Sequence, residues 1–473
     1  MRLIYKRMSA IKRGERDILL SRRKKIIFVI IACAILLLFL AAVIYEKVAM
    51  SGNVIFGNVI SDAGGGITGQ VIINPDGTKN YSVKKDGTGD YTTIQSCVNA
   101  AQAGDTCLVS AGTYSETVST AWSGTASKRI YVMGASGTKP TVNGFNINHA
   151  YISIGNFIID NTGTAVSVAA SGNYCEIKNN EIRDATRVII LNQGSTGCII
   201  RNNWFHGSTI VDTVVELRGT NHLVERNEFG PLVMDEDILR VYEENHVARN
   251  NYFHDITYSQ AGGHSDVFQS WGPIRNFIFE QNYIDGWPGQ AFFFDCDEEF
   301  YRAHGYDGPT GYKNGPIIIR NNVYYDVEDA GQGYCPEIKI YNNVFEYSGH
   351  GNGRAIMIQN GADEGAPERG LAENSEIKNN IFYYTGEPEN AYTEGSYIVD
   401  DSAQSTFKGG NNLAYPSTTS GLELDTNSLN GVDPLLVNPN NPLGADGVPW
   451  TADDGLRLQS NSPAKEGAMM GVI

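Results

Sequence analysis

Ten times along the chain a short apolar run meets an asparagine and then resumes: SIGNFI, EIKNNEI, IIRNNWF, LVERNEF, VARNNYF, IFEQNYI, IIRNNVY, KIYNNVF, EIKNNIF and FKGGNNLA. The residues concerned are Asn156, Asn180, Asn203, Asn227, Asn251, Asn282, Asn322, Asn343, Asn380 and Asn412, separated by 24, 23, 24, 24, 31, 40, 21, 37 and 32 positions. A unit of about 24 residues, lengthened by insertions in its later copies, implies a solenoid with one coil per unit. In EIKNNEI the apolar Ile177 and Ile182 stand an odd number of residues apart, so one straight strand cannot turn both to the same face. The chain must bend between them. Asparagine tolerates left-handed backbone angles and bonds nearby backbone through its amide, which suits it to a corner. Coils stacked at about 4.8 Å bring successive corner amides within bonding reach, as a ladder. A leucine-rich repeat shares the period and the asparagine, but it needs a leucine frame, and here Ile, Phe and Val hold those places.

Equal offsets from the ladder should mark vertical neighbours. Cys175 and Cys198 each precede their asparagine by the same count and should stack inside. Cys296 and Cys335 fall nearly level. Cys97 and Cys107 flank a helical stretch, Thr92 to Gln102, and its following strand; a disulfide between them is expected, with two buried thiols as the alternative. That helix would cover the open end of the solenoid, which otherwise exposes unpaired strand edges.

The segments TIQSCVNAAQAGDTCLVSAGTYSE and SKRIYVMGASGTKPTV, followed by the asparagine coils, resemble the right-handed parallel β-helix proteins that include pectate lyases, alginate lyases and polygalacturonases. The resemblance implies an all-β fold, a single right-handed parallel β-helix of about 10–12 coils over residues 81–430. It also implies activity on, or binding of, a polysaccharide or cell-surface glycan. A polysaccharide lyase is the first expectation and a glycoside hydrolase the second, with a non-catalytic glycan-binding or envelope protein as the alternative, since the fold alone hosts all three.

A second strand in each coil reads RVIILNQ, TVVELRG, DILRVYE, HSDVFQSWG, QAFFFDCD, RAIMIQN and GSYIVDD. With Leu191, Leu217, Val241, Phe268, Phe294, Ile358 and Val399 inward, the next residues form an outer column of Asn192, Arg218, Tyr242, Gln269, Asp295, Gln359 and Asp400. Glu216 and Arg240 stand two positions before the last-named residues of their coils. The central coils add His264, Asp266 and Trp271, then Asp297, Glu298 and His304. His264, Asp266, Arg240 and Asp295 are the candidate catalytic residues, and Arg218, Tyr242, Gln269, Trp271 and His304 the candidate substrate contacts. Elimination on a uronate needs a base, for which Arg240 and His264 qualify, and commonly a cation; Asp295, Asp297 and Glu298 are the hard oxygen ligands expected for calcium. Polygalacturonases carry Asn-Thr-Asp, an Asp pair and Gly-His-Gly. Here the order is His264-Ser265-Asp266, Asp295-Cys296-Asp297 and Gly349-His350-Gly351, with the first Asn replaced, the Asp pair split and an additional coil between.

The N-terminus differs from the rest. Residues 1–25 hold ten Lys or Arg against Glu15 and Asp17, and residues 26–45, IIFVIIACAILLLFLAAVIY, carry no charge. A run of about 20 apolar residues spans a bilayer, and the basic flank puts the N-terminus in the cytoplasm and the remainder outside. The expected order is a cytoplasmic tail (1–25), a single transmembrane signal anchor (26–45), a Gly-rich linker (46–80), the β-helix (81–430) and a closing segment (431–473). The whole chain carries −17 and its first 25 residues +8, leaving −25 for the remainder. Such a surface repels nucleic acid, which is excluded as a partner.

Overall fold

The computed structural model describes residues 71–74, 76–258, 265–296, 314–347, 355–361, 372–385, 396–417 and 422–465, all within one unit of the chain, Gly65–Ile473. Among the described residues no helix is long and apolar enough to cross a membrane. The basic tail, the apolar run 26–45 and most of the linker lie outside them.

The protein is almost entirely β, built on a 15-stranded and a 20-stranded sheet. Strands one coil apart pair in parallel: Glu176–Lys178 with Ile199–Arg201, then Leu223–Glu225, Val247–Arg249, Phe277–Glu280 and Ile317–Arg320. This is the wound, stacked form that the repeat requires. Rings at equal offsets superpose: Phe205 on Phe229 at 4.7 Å and Phe229 on Phe253 at 4.8 Å, with planes 7° and 5° apart. Those spacings are the distance between strands. Each inward column therefore buries its apolar surface against its own copies as well as against the facing sheet.

At the corner, the two asparagines of each pair do different work. The first is left-handed, as at Asn179, Asn202, Asn250 and Asn321, with φ between 53° and 57°. The second is buried, and its carbonyl oxygen accepts both the backbone and the amide N–H of its counterpart one coil earlier. Nine asparagines from Asn180 to Asn412 are joined amide to amide at 3.0–3.1 Å. Asn156 is not among them. It takes the left-handed position at φ 63°, and Phe157 occupies the rung, donating its N–H to Asn180 Oδ1 at 3.0 Å. At the other end Asn412 donates to Asp425, and Ser428 Oγ accepts the Asn412 N–H at 2.8 Å.

The helix is Ile94–Ala100, capped by Thr93, whose hydroxyl accepts the Ser96 N–H; Ile94, Cys97 and Val98 are buried. Glu116 accepts the N–H groups of Ile94 and Gln95 at 3.1 and 2.9 Å, satisfying the helix start. Cys97 is bonded to Cys107, with Cα atoms 6.0 Å apart, and Cys296 to Cys335, with Cα atoms 5.2 Å apart. Cys175 and Cys198 are free and buried.

The outer face of the 15-stranded sheet carries Arg201, Glu225, Arg249, Glu280 and Arg320 in register, alternating in sign. Arg249 meets Glu225 at 2.9 Å and Arg320 meets Glu280 at 2.7 Å. Opposite charges across strands stabilise a sheet, and this face serves the stack.

Candidate functional site

The strand that follows the asparagine corner leads, after a turn, to Arg187–Leu191, Thr213–Leu217, Leu239–Val241 and Phe268–Trp271, stacked in parallel. Leu191, Leu217 and Val241 share a register, as expected, and Glu216 lies beside Arg240. The next coil departs. Phe268 pairs with Leu239 and Gln269 with Arg240, so Gln269 belongs to the Glu216 column. Trp271 is level with Asp295 and takes the place assigned to Gln269. This coil is longer before the strand, 29 residues separating Arg240 from Gln269 against 24 from Glu216 to Arg240, so an offset counted from Asn251 falls short.

The corrected register places Asp237 and Asp266 at the same offset in adjacent coils, each three residues before an outward side chain. Both are fully buried. The Asp266 N–H donates to Asp237 Oδ1 at 3.2 Å, Arg240 Nε to Asp237 Oδ2 at 3.0 Å, and Gln269 Nε2 to Asp266 Oδ2 at 2.8 Å. Tyr258 pins the start of this segment by donating to the Ser265 carbonyl at 3.0 Å. Arg240 also donates to Glu236 at 3.0 Å and lies 3.9 Å from Asp212.

Burial, and then the neighbouring Asp266, push the Asp237 carboxyl well above the ordinary carboxylate range. Burial works against the charge of Arg240, but Asp237 and the acids around it outweigh that and hold its proton more firmly than usual. The result is a buried acid that binds its proton more tightly than usual, a second carboxyl on the adjacent coil, and a fixed cation beside them. Two carboxyl groups in unlike surroundings are what acid–base chemistry at neutral pH requires.

On the same strands, an arginine of one coil lies over an aromatic ring of the next. Arg218 lies 4.8 Å from the centre of the Tyr242 ring and Arg240 lies 5.7 Å from that of Trp271. Burial drives the Tyr242 hydroxyl up to about 12, so it remains a neutral donor. Glu216 is buried between Arg187 and Arg218, each at 2.5 Å. Trp271 remains 37% exposed, an apolar surface on a polar strip.

Solved structures similar to this chain are polysaccharide lyases and glycoside hydrolases. They include an alginate lyase from Paenibacillus sp. str. FPU-7 (14% identity over 72% of this chain and 95% of that one, TM-score 0.37). A GH136 lacto-N-biosidase from Eubacterium ramulus shows 13% identity over 69% of this chain and 67% of that one, with a TM-score of 0.48. A mannuronic acid-specific polysaccharide family 6 lyase from human gut microbiota shows 12% identity over 74% and 82%, with a TM-score of 0.44. Likenesses of this degree assign neither substrate nor chemistry. No family model and no curated protein matches the chain.

Of the expected site residues, Arg240 and Tyr242 of one coil meet Asp266, Gln269 and Trp271 of the next, with Arg218 one coil earlier. Asp295 is buried at the end of the strand Tyr283–Asp295, beside the Cys296–Cys335 bridge. His264, Asp297, Glu298, His304 and the Gly349-His350-Gly351 run lie outside the described residues. Among the described residues no group of three His, Cys, Asp or Glu side chains is arranged to hold a metal. The residue that sequence reasoning missed is Asp237. Its signal was present: Asp237-Ile238-Leu239-Arg240 and Asp266-Val267-Phe268-Gln269 are the same pattern in consecutive coils.

Proposed function

We propose that this chain is a membrane-tethered, right-handed β-helix enzyme that cleaves a polysaccharide, with Asp237 and Asp266 as its acid–base pair. The carrying observation is two fully buried carboxyl groups at one offset in adjacent coils, with burial and the neighbouring Asp266 pushing the Asp237 carboxyl well above the ordinary range. Asp237 supplies a proton to the departing glycosidic oxygen and Asp266 activates water, while Arg218–Tyr242 and Arg240–Trp271 position the sugar. Hydrolysis is favoured over elimination with Arg240 as base, because its ion pairs with Asp212 and Glu236, and the Asp237 carboxyl beside it, hold the proton on that guanidinium. His264, two residues before Asp266, is retained as a further base. Calcium on Asp295, Asp297 and Glu298 is retained as an accessory, tested by chelation and re-addition.

One observation favours a second reading. Neither carboxyl is exposed in the free chain, so substrate reaches them only if the cover over them moves; if it does not, the arginine–aromatic strip binds glycan without cleaving it. The test is the full chain on a panel of neutral and uronate polysaccharides. New reducing ends without an unsaturated product support hydrolysis; an unsaturated product refutes it in favour of elimination. Asp237→Asn and Asp266→Asn should each lower turnover at least about a hundredfold with little change in melting temperature. Saturable binding without turnover establishes the second reading. Fractionation of cells expressing the full chain, with and without residues 26–45, tests the tether.

A further inference from the structure

The strand immediately after the asparagine corner presents an outer column quite unlike the ion-paired face of the 15-stranded sheet. Glu181, Trp204, Glu228, Tyr252, Tyr283 and Val323 stand in register. From Tyr283 onward the column is covered by the C-terminal segment: Leu436 and Leu456 pack on Tyr283 and Val323, and Trp450 meets Tyr283 edge-on at 6.3 Å. The cover thins from there: Tyr252 is half-buried against the edge of the same cluster, and Trp204 lies beyond it. Tyr283 is 1% exposed, whereas Trp204 is 38% exposed.

The uncovered part is built as a repeated unit. Trp204 stacks on His206 with ring centres 3.7 Å apart and planes at 22°, and His206 Nε2 lies 3.3 Å from Glu181. Tyr252 stacks on His254 at 4.4 Å and 17°, and His254 Nε2 lies 3.3 Å from Glu228. Trp204 is held further by its Nε1–H, which donates to the Gly230 carbonyl at 2.8 Å. The two units are two coils apart, about 9.6 Å, close to the length of a disaccharide. Two hollows flank them. One of about 460 Å³ lies between Tyr252 and Val448–Trp450, and one of about 910 Å³ lies between His206 and Asp285 along the small sheet of Leu232–Met234 and Ile256–Tyr258.

Rigid aromatic rings at a two-coil spacing, each beside a carboxylate that accepts hydroxyl protons, match alternate pyranose rings of an extended chain. The acids Glu181, Glu228, Asp255 and Asp285 outnumber the cations along the strip, Arg183, paired to Glu181 and Asp160, and Arg226 in the hollow beside Tyr252, and so disfavour a uronate. We propose that the Trp204–Tyr252 strip, ending at Trp450, is a second saccharide-binding site, for an uncharged oligosaccharide, on a strand of the coil separate from Asp237 and Asp266. It holds glycan independently of any reaction at that pair.

The full chain is titrated with cellohexaose, xylohexaose, chitohexaose in its N-acetylated form and hexagalacturonate, followed by tryptophan fluorescence and calorimetry. At least one neutral hexasaccharide should bind saturably below about 1 mM. Trp204→Ala and Tyr252→Ala should each weaken that binding at least about tenfold, and Trp204→Phe, which keeps a ring and the fold, should retain most of it. Asp237→Asn should bind like the parent, which separates failure of this site from failure of the acid–base assignment. Three results overturn the proposal: no neutral hexasaccharide binds, hexagalacturonate binds more tightly than all of them, or Trp204→Ala folds and binds unchanged.

Discussion

His246 accepts the His222 backbone N–H at Nδ1, 3.2 Å, and its Nε2 donates to the Tyr242 carbonyl at 2.8 Å. The first bond holds only while the imidazole is neutral, because a protonated Nδ1 cannot accept. Burial, and then the neighbouring His222, lower its pKa from the ordinary 6.5 to about 3. The unfolded chain therefore takes up a proton as pH falls through 6.5 while the folded chain does not until about 3, so this contribution is full above 6.5 and is lost across that interval. Asp237 acts with the opposite sign: its folded pKa is raised from 3.8, so its contribution is present at low pH and is lost as pH rises through the raised value. For His246 the loss between pH 6.5 and about pH 4 is about 3 kcal/mol. Urea midpoints of the parent should fall over that range, and His246→Gln should flatten the slope; an unchanged slope would remove His246 as the cause. At this scale the sequence marked Asp266, Arg240 and Trp271 as candidates, and the structure places them near one another. It hid Asp237, because a lone Asp in the acidic stretch Asp235-Glu236-Asp237 looks like solvated surface until the register identifies its neighbour.

The corner shows what could be read directly and what could not. A bend with an asparagine ladder followed from an odd apolar spacing alone. The division of labour within each pair did not, because two adjacent asparagines are chemically identical until the backbone assigns one to the left-handed position and the other to the rung. Asn156, single and preceded by Gly155, was for that reason placed on the ladder when it belongs beside it. The two positions should respond differently to mutation. Asn227→Ala removes the acceptor for both the N–H and the amide of Asn203, at 3.0 and 3.1 Å, inside the core. Two orphaned buried donors cost roughly 3–5 kcal/mol together. Asn202→Gly should be nearly neutral at φ 53°, while Asn202→Val should cost roughly 1–2 kcal/mol through its branched Cβ. Urea unfolding of the three variants checks the order; equal losses at both positions would refute the distinction. The same limit explains Gln269: a ladder serves as a ruler only across coils of equal length, and the coil containing Asp266 is longer.

On the scale of the whole molecule, the stack of coils and the C-terminal segment are held by different forces. Backbone pairing, the ladder and the central core join coil to coil, whereas the segment from Leu436 to Ala464 adheres through apolar contacts to Tyr283, Val323, Val344, Ile381 and Leu413 on an outer face. Removing residues 432–473 should therefore leave the parallel sheets intact and expose that strip. Exposed apolar surface of this extent promotes association, and the opposing force is the long-range repulsion of a strongly acidic surface, −17 over the chain. Salt screens that repulsion over about 8 Å at physiological ionic strength and leaves the apolar attraction in place. With residues 1–45 also removed from both parent and truncated chain, the latter should keep the β-sheet circular dichroism of the parent, run as a monomer at low salt, and self-associate as salt is raised, measured by light scattering. Leu436→Asp with Leu456→Asp in the full chain should reproduce a weaker form of the same behaviour. A truncated chain that stays monomeric at high salt would show that the segment does not shield the face, and one that loses its sheet signal would show that it is part of what holds the coils together.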